Sequence, residues 1–379
     1  MKRRSRIVNK RTSRRLPFLL LLLAMAMTTT VALANDERGD SIHAPQSSAL
    51  GTIKKTVRGF SAIDTNYIEP QHYNYALMVQ TTYNYDMYWL RSNNGQEVMF
   101  SPDLALRVGP YFGWRWLFLG YTFELKNIGV SDNKLKKEFA LSLYSSQIGV
   151  DLFYRRTGND YKIRKARFGE DVDVSKLKDV DFDGINVGIT GFNLYYIFNH
   201  NRFSYPAAFS QSTIQKISCG SWLAGIGYTR QSLELDHEKL KNLLEQRAEI
   251  NNVKIDSSLM FNSVKYYDIN LSVGYAYNWV FAKNWLYCTS LSAALSYKNS
   301  HGSVSNDDIS GFTFKNFNLD GIARLGLVYN NMRWYAGSSV ILHSYNYHKP
   351  RFSTNNIFGS LNVYVGMNFG VKKQYKKKK

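Results

Sequence analysis

Cysteine is nearly absent: Cys219 and Cys288 are the only two in 379 residues, so no disulfide framework holds this fold, and both are expected as free thiols. Proline is scarce as well, and without a Pro-rich linker the chain beyond its N-terminal leader reads as one domain. After residue 34 there is no apolar run near 18 residues, which excludes a transmembrane helix. Metal-ligand spacing, Gly-rich phosphate loops and paired-carboxylate motifs are missing, so no cofactor or metal is expected. A basic face for nucleic acid is missing too. Of the formal charge of +19, eight basic residues lie within Lys2 to Arg15 and six lysines within Lys372 to Lys379, which leaves the folded body near +5.

The leader has three parts: the basic run, an apolar core from Leu16 to Met27, and the small residues of Ala32-Leu33-Ala34. This order predicts a cleaved signal peptide over 1–34, with a mature chain from Asn35 and a polar periplasmic segment over 35–59. About a dozen apolar residues are too few to serve as a membrane anchor.

The clearest fold signal lies between Tyr267 and Tyr297. Tyr267, Ile269, Leu271, Val273, Tyr275, Tyr277 and Trp279 alternate with Asp268, Asn270, Ser272, Gly274, Ala276 and Asn278. After Phe281-Ala282-Lys283-Asn284 the pattern restarts at Trp285. Strict alternation is the strand period. These strands match the roughly 9 to 11 residues that cross a bilayer at a tilt, and their aromatic residues flank an aliphatic middle. The reading is an all-β, antiparallel transmembrane β-barrel. A large soluble sandwich also alternates, but its solvent face carries Lys and Glu rather than Asn, Ser and Gly.

Twelve strands are predicted, at about 72–90, 97–109, 113–126, 137–155, 160–167, 184–199, 216–231, 264–281, 285–299, 313–330, 332–346 and 356–371. Short connections at 109–112, 157–159, 282–284 and 330–331 alternate with long ones at 127–136, 168–183, 232–263 and 300–312, as periplasmic turns alternate with extracellular loops. The connection at 200–215 is long on the short side. Parity slips near Ser145 and Gly191 predict two bulges. Leu240, Leu243 and Leu244 behind Asp236 predict a short surface helix. Gly366, Phe369 and Val371 resemble the terminal signal read by barrel assembly machinery, here followed by a lysine-rich tail over 372–379.

Two runs carry a family resemblance. Asn199-His200-Asn201-Arg202-Phe203-Ser204-Tyr205-Pro206-Ala207-Ala208-Phe209-Ser210-Gln211-Ser212 and the earlier Asp64-Thr65-Asn66-Tyr67-Ile68-Glu69-Pro70 resemble a Bacteroidetes outer-membrane family, domain of unknown function 4421. The resemblance spans residue 60 to the C-terminus and implies a Gram-negative outer-membrane barrel over 60–371. It implies no activity.

With apolar side chains toward lipid, the lumen is expected to receive Asp86, Asp103, Arg107, Glu124, Asp151, Asp268, Asp320, Arg324 and Arg333. Opposite charges pair when buried, so a plugged or structural barrel is one expectation and a narrow channel for small polar solutes another. A barrel-embedded esterase or lipase is the third. It needs a Ser–His pair, yet Ser339 and His343 lie roughly 13 Å apart along one strand. The motif Arg202, Phe203, Tyr205, Pro206, Phe209 and Gln211 reads either as a self-packed Ω-like turn around its own aromatics, or as a plug or partner site. The expected partners are outer-membrane lipid and the assembly machinery, with no nucleic acid.

Overall fold

Alternation along the chain becomes long antiparallel strands. The computed structural model describes residues 63–376 except 115–116, 121–122, 125–136, 158–159, 170–173, 249–253, 262, 303–316 and 349–351. The expected signal peptide, the polar segment 35–59 and the last three lysines lie outside the described residues.

In chain order the elements are β1 (Ile68–Pro70), β2 (Tyr73–Ser92), β3 (Glu97–Pro102), β4 (Ala105–Trp114), β5 (Leu117–Gly120), β6 (Phe123–Glu124), β7 (Lys137–Tyr144) and β8 (Ile148–Arg156). Next come β9 (Tyr161–Arg167), β10 (Val180–Phe182), β11 (Ile185–Ile197), helix α1 (Tyr205–Phe209), β12 (Thr213–Gln215), β13 (Cys219–Leu235) and helix α2 (His237–Ala248). The chain ends with β14 (Ser263–Ala282), β15 (Trp285–Gly302), β16 (Phe317–Asn330), β17 (Trp334–His348) and β18 (Phe352–Val371).

The main wall runs β7–β8–β11–β13–β14–β15–β16–β17–β18–β2–β4, with β5 and β6 pairing the far side of β4. Its two faces are the reverse of a soluble protein's. On β14 the exposed face carries Ile269, Leu271 and Val273 at 60–65% exposure, while Asp268 and Asn278 on the other face are at 1% and 0%. Burying charge while leaving aliphatics bare is costly in water and favourable when the bare face meets hydrocarbon. Tyr267 and Tyr277 bracket that stripe, about 33 Å apart along the strand and about 25 Å apart once tilted, the height of an outer-membrane apolar band.

Several expected boundaries move. The segment 137–155 is a hairpin, not one strand. Ser145 N donates to Ile148 O at 2.8 Å and Ser145 Oγ accepts from Ile148 N at 2.9 Å, so the parity slip there is a turn. No bulge occurs at Gly191, because β11 keeps continuous register with both β8 and β13. The slip reflects the opposite face, which changes from Asn186, Gly188 and Thr190 to Phe192, Leu194 and Tyr196, while the covered face keeps Ile185, Val187, Ile189, Asn193, Tyr195 and Ile197. The segment 97–109 divides into β3 and β4, which pair different parts of β2. Gly109-Pro110 lies inside β4 and is not a turn. The segment 160–167 leaves the wall: β9 pairs β3 and β10 in a branch at the long-loop end. Helix α2 forms where expected, with Lys239 N donating to Asp236 Oδ1 at 3.0 Å and Leu240 and Leu244 fully buried. Cys219 and Cys288 are free thiols.

Candidate functional site

The long connection on the short-turn side folds inward. Ser204 caps α1, its Oγ accepting from Ala207 N at 3.3 Å, and Pro206 occupies the first turn, where a missing N–H costs nothing. The helix is too short to persist alone, and the wall holds it. The Tyr205 hydroxyl meets Ser290 Oγ of β15 at 2.5 Å, and its ring lies 5.9 Å from Tyr144 of β7 and 5.8 Å from Tyr195 of β11. Asn278 Nδ2 of β14 donates to Ser204 O at 2.8 Å, and Gln211 Nε2 donates to the Tyr364 hydroxyl of β18 at 2.7 Å. Ala207 and Ala208 pack on Leu286, Cys288 and Val328. Phe203 and Phe209 do pack around Tyr205, at 5.4 and 5.3 Å, but the cluster is shared with the wall, which a self-contained Ω-like turn would not require.

The two runs that carried the family resemblance are one physical unit. β1 pairs β12 antiparallel, from Ile68 opposite Gln215 to Pro70 opposite Thr213. Asp64 N donates to Asn201 O at 2.8 Å, Lys216 N to Tyr67 O at 2.7 Å, and the Arg202 guanidinium lies 5.1 Å over the Tyr67 ring. Gln215 Nε2 donates to Arg202 O at 2.6 Å, tying β12 back to the start of the connection. Residues 64–72 and 198–216 thus make a floor at the short-turn end.

Above the floor the covered face is charged and paired. Arg324 of β16 is buried, its Nη2 donating to Asp151 Oδ2 at 2.5 Å while its guanidinium lies 5.1 Å over the Tyr195 ring. Ser142 Oγ donates to Asp151 Oδ1 at 2.6 Å. A second pair joins Lys298 Nζ to Asp320 Oδ1 at 2.9 Å, with Ser296 Oγ also on that carboxylate. Lys298 is cross-strand from Asp268, one oxygen of which is buried without a partner. A third group sets Asp86 between the Tyr161 hydroxyl, 2.9 Å away, and Arg155, 3.7 Å away.

Of the nine charges expected inside, Asp86, Asp151, Asp268, Asp320 and Arg324 are on the covered face. Arg107 is half-buried on β4, cross-strand from Glu124, whose side chain is outside the described residues. Asp103 and Arg333 are corrections. Asp103 lies in the bend between β3 and β4, exposed and paired with Lys162 and Arg164 at 2.8 Å each, and Arg333 is exposed in the β16–β17 turn. Arg155 and Lys298 were missed. Lys298 continues the parity of Ser292 and Ser296 by one further step, which would have found it. Arg155 shares the parity of Asp151 two steps further along β8, so the same alternation would have found it.

No histidine pairs with a serine among these groups. The His343 ring stacks on Phe358 at 5.0 Å and its Nδ1 has no partner. His200 Nε2 meets Gln147 Nε2 at 2.9 Å, while Ser204 Oγ contacts Thr213 Oγ1 and Ser210 Oγ contacts Ser212 Oγ.

At the long-loop end the covered face turns apolar. Leu90, Phe100, Tyr161, Ile163, Ile185, Leu233, Leu240, Leu259 and Tyr266 form one buried cluster that joins the wall to the β3–β9–β10 branch and α2. Salt bridges clasp the outside of that branch. Burial alone would raise the Glu97 carboxyl, but hydrogen bonds from Lys165 and Arg91 outweigh it and hold it below the usual range. Lys162 and Arg164 lower Asp103 in the same way.

No curated protein matches significantly. Among solved structures, the outer-membrane protease OmpT of Escherichia coli is similar at 8% identity and TM-score 0.32, over 78% of this chain and 97% of that one. The translocator domain of the autotransporter NalP of Neisseria meningitidis is similar at 11% identity and TM-score 0.28, over 92% and 99%. The P. putida toluene transporter TodX follows at 7% and TM-score 0.19, over 79% and 91%. The family model for a domain of unknown function, DUF4421, matches residues 62–369, a stretch that contains the floor and every strand of the wall up to the last two residues of β18, and the chain belongs to that family.

Proposed function

We propose that this chain is an outer-membrane β-barrel of about twelve strands with a plugged interior, acting as a scaffold and not as an open pore. The wall closes in this reading between β7 and the β5–β6 edge. The observation that carries the plugged interior is the Arg324–Asp151 pair, bonded between β16 and β8 through the space a solute would have to cross. The floor of 64–72 and 198–216 and the apolar cluster at the other end support the same reading. The exposed Leu and Val stripes support contact with outer-membrane lipid, and the end of β18 supports recognition by the assembly machinery.

The test is planar-bilayer conductance of the refolded chain from Asn35, beside a heat-modifiability gel that reports folding. A folded, inserted and electrically silent protein is expected. Discrete conductance steps would replace the plugged reading with a channel. A chain that folds yet never enters lipid would overturn the barrel.

A further inference from the structure

The alternation that sends aliphatics outward also sends a group of cations outward, one step beyond the apolar band. On β2 the outward residues run Val79, Thr81, Tyr83, Tyr85, Met87, Trp89 and then Arg91. Trp89 is where an interfacial aromatic belt ends, and its indole Nε1 is buried without a hydrogen-bond partner. The Arg91 guanidinium lies 5.0 Å and the Lys165 ammonium 5.3 Å over its ring. Both cations share one carboxylate, Glu97, at 2.7 and 2.8 Å. Arg167 is cross-strand from Glu97 on the same face and has no ion pair among the described residues. Three cations therefore stand on one carboxylate, which leaves two positive charges facing outward at the level of lipid headgroups.

Arg91, Glu97 and Arg167 border a cleft of about 670 Å³, whose opposite side is formed by β17 and β18 through Asn346, Ser353 and Asn355. The register brings them together: Ser353 is opposite Arg91, and Asn355 is opposite both Trp89 and Asn346. Guanidinium forks grip phosphate oxygens bidentately, while amides and hydroxyls suit sugar hydroxyls.

We propose that this cleft binds the phosphate of a phosphorylated glycolipid headgroup in the outer leaflet. The proposal rests on the membrane reading above. Two observations select a lipid over a soluble phosphate: the cations continue the lipid-facing stripe of β2 without a break, and further along the same face Tyr85 on β2 and Leu361 on β18 are bare.

The experiment uses the folded chain in phosphatidylcholine nanodiscs doped with either a phosphorylated lipid A or its dephosphorylated form, with bound glycolipid read by native mass spectrometry. Retention of the phosphorylated form alone is expected. Arg167→Gln, which breaks no ion pair among the described residues, should lower retention about tenfold, and Arg167→Lys should restore part of it. Equal retention of both lipids, or an Arg167→Gln variant that retains as much as the parent, would overturn the proposal. Inorganic phosphate and glucose 1-phosphate are the soluble probes. If either binds the detergent-solubilised protein as tightly as the lipid does, the site is for soluble anions and the lipid assignment falls. Failure to enter nanodiscs, despite a folded gel shift, would instead overturn the membrane reading on which the proposal rests.

Discussion

Arg324 and Asp151 are five strands apart in the hydrogen-bonded order of the sheet, yet their side chains meet at 2.5 Å. A contact of that kind forms only if the wall curves far enough to bring β8 and β16 face to face. Removing one partner leaves the other charge buried alone. Arg324→Met is therefore expected to destabilise by roughly 3 to 5 kcal/mol, and the double variant Arg324→Met with Asp151→Leu to recover much of that loss. Urea midpoints in lipid vesicles measure both. A double variant no more stable than Arg324→Met would mean that the loss does not come from an unpaired buried charge.

Tyr205 tests the floor in two grades. Tyr205→Phe deletes only the hydroxyl contact to Ser290 and should cost about 1 kcal/mol. Tyr205→Ala also empties the space among Tyr144, Tyr195 and Phe209, for about 3 to 5 kcal/mol. Adding Phe209→Ala should lower folded yield further on a heat-modifiability gel. Unchanged yield would mean that the floor is dispensable to packing.

Glu97 and Asp103 give the branch at the long-loop end a pH dependence with a definite sign. Their folded-state values are lowered, so the stability they add is fully present above the unfolded carboxylate values, about 4, and is lost as pH falls through the folded ones. Trp89 fluorescence should hold steady from pH 7 to about 5 and change below that. Glu97→Gln should flatten the acid limb. The cations holding Glu97 are about half exposed, which screens the effect and keeps it modest.

Gly149 faces Tyr195 across β8 and β11, and a Cβ there would sit 2.2 Å from the tyrosine ring. Gly149→Ala should push that ring off Arg324 and cost about 1 to 3 kcal/mol by overpacking. The alanine variant of Gly95, a turn glycine with open space around its Cβ, separates packing from backbone effects: with φ at +81° it carries only the conformational penalty. Equal losses at the two positions would argue against the Tyr195 clash.

Much of the wall was legible because period-2 alternation is a local property: β14 and β15 can be read residue by residue from Tyr267 to Tyr297. The reading failed where the chain turns or the outer face changes character. At Ser145 a hairpin and at Gly191 a polar-to-apolar change both looked like bulges, since parity alone cannot tell a turned chain from a changed environment. The fate of the strand-like segment at Tyr161 was equally hidden, because which partner a strand finds is not written in its own residues.

By itself, then, the sequence determined the two-faced strands, the α2 helix with its Asp236 cap, and the five buried charges from Asp86 to Arg324, all consequences of periodicity and short-range capping. Only the tertiary structure decided that 64–72 and 198–216 form one floor, that Asp151 takes Arg324 as its partner, and that Arg91, Lys165 and Arg167 gather around Trp89. Those relations join residues dozens to hundreds of positions apart. They exist only once the sheet has curved and set its register, because curvature, not sequence distance, determines which side chains share a space.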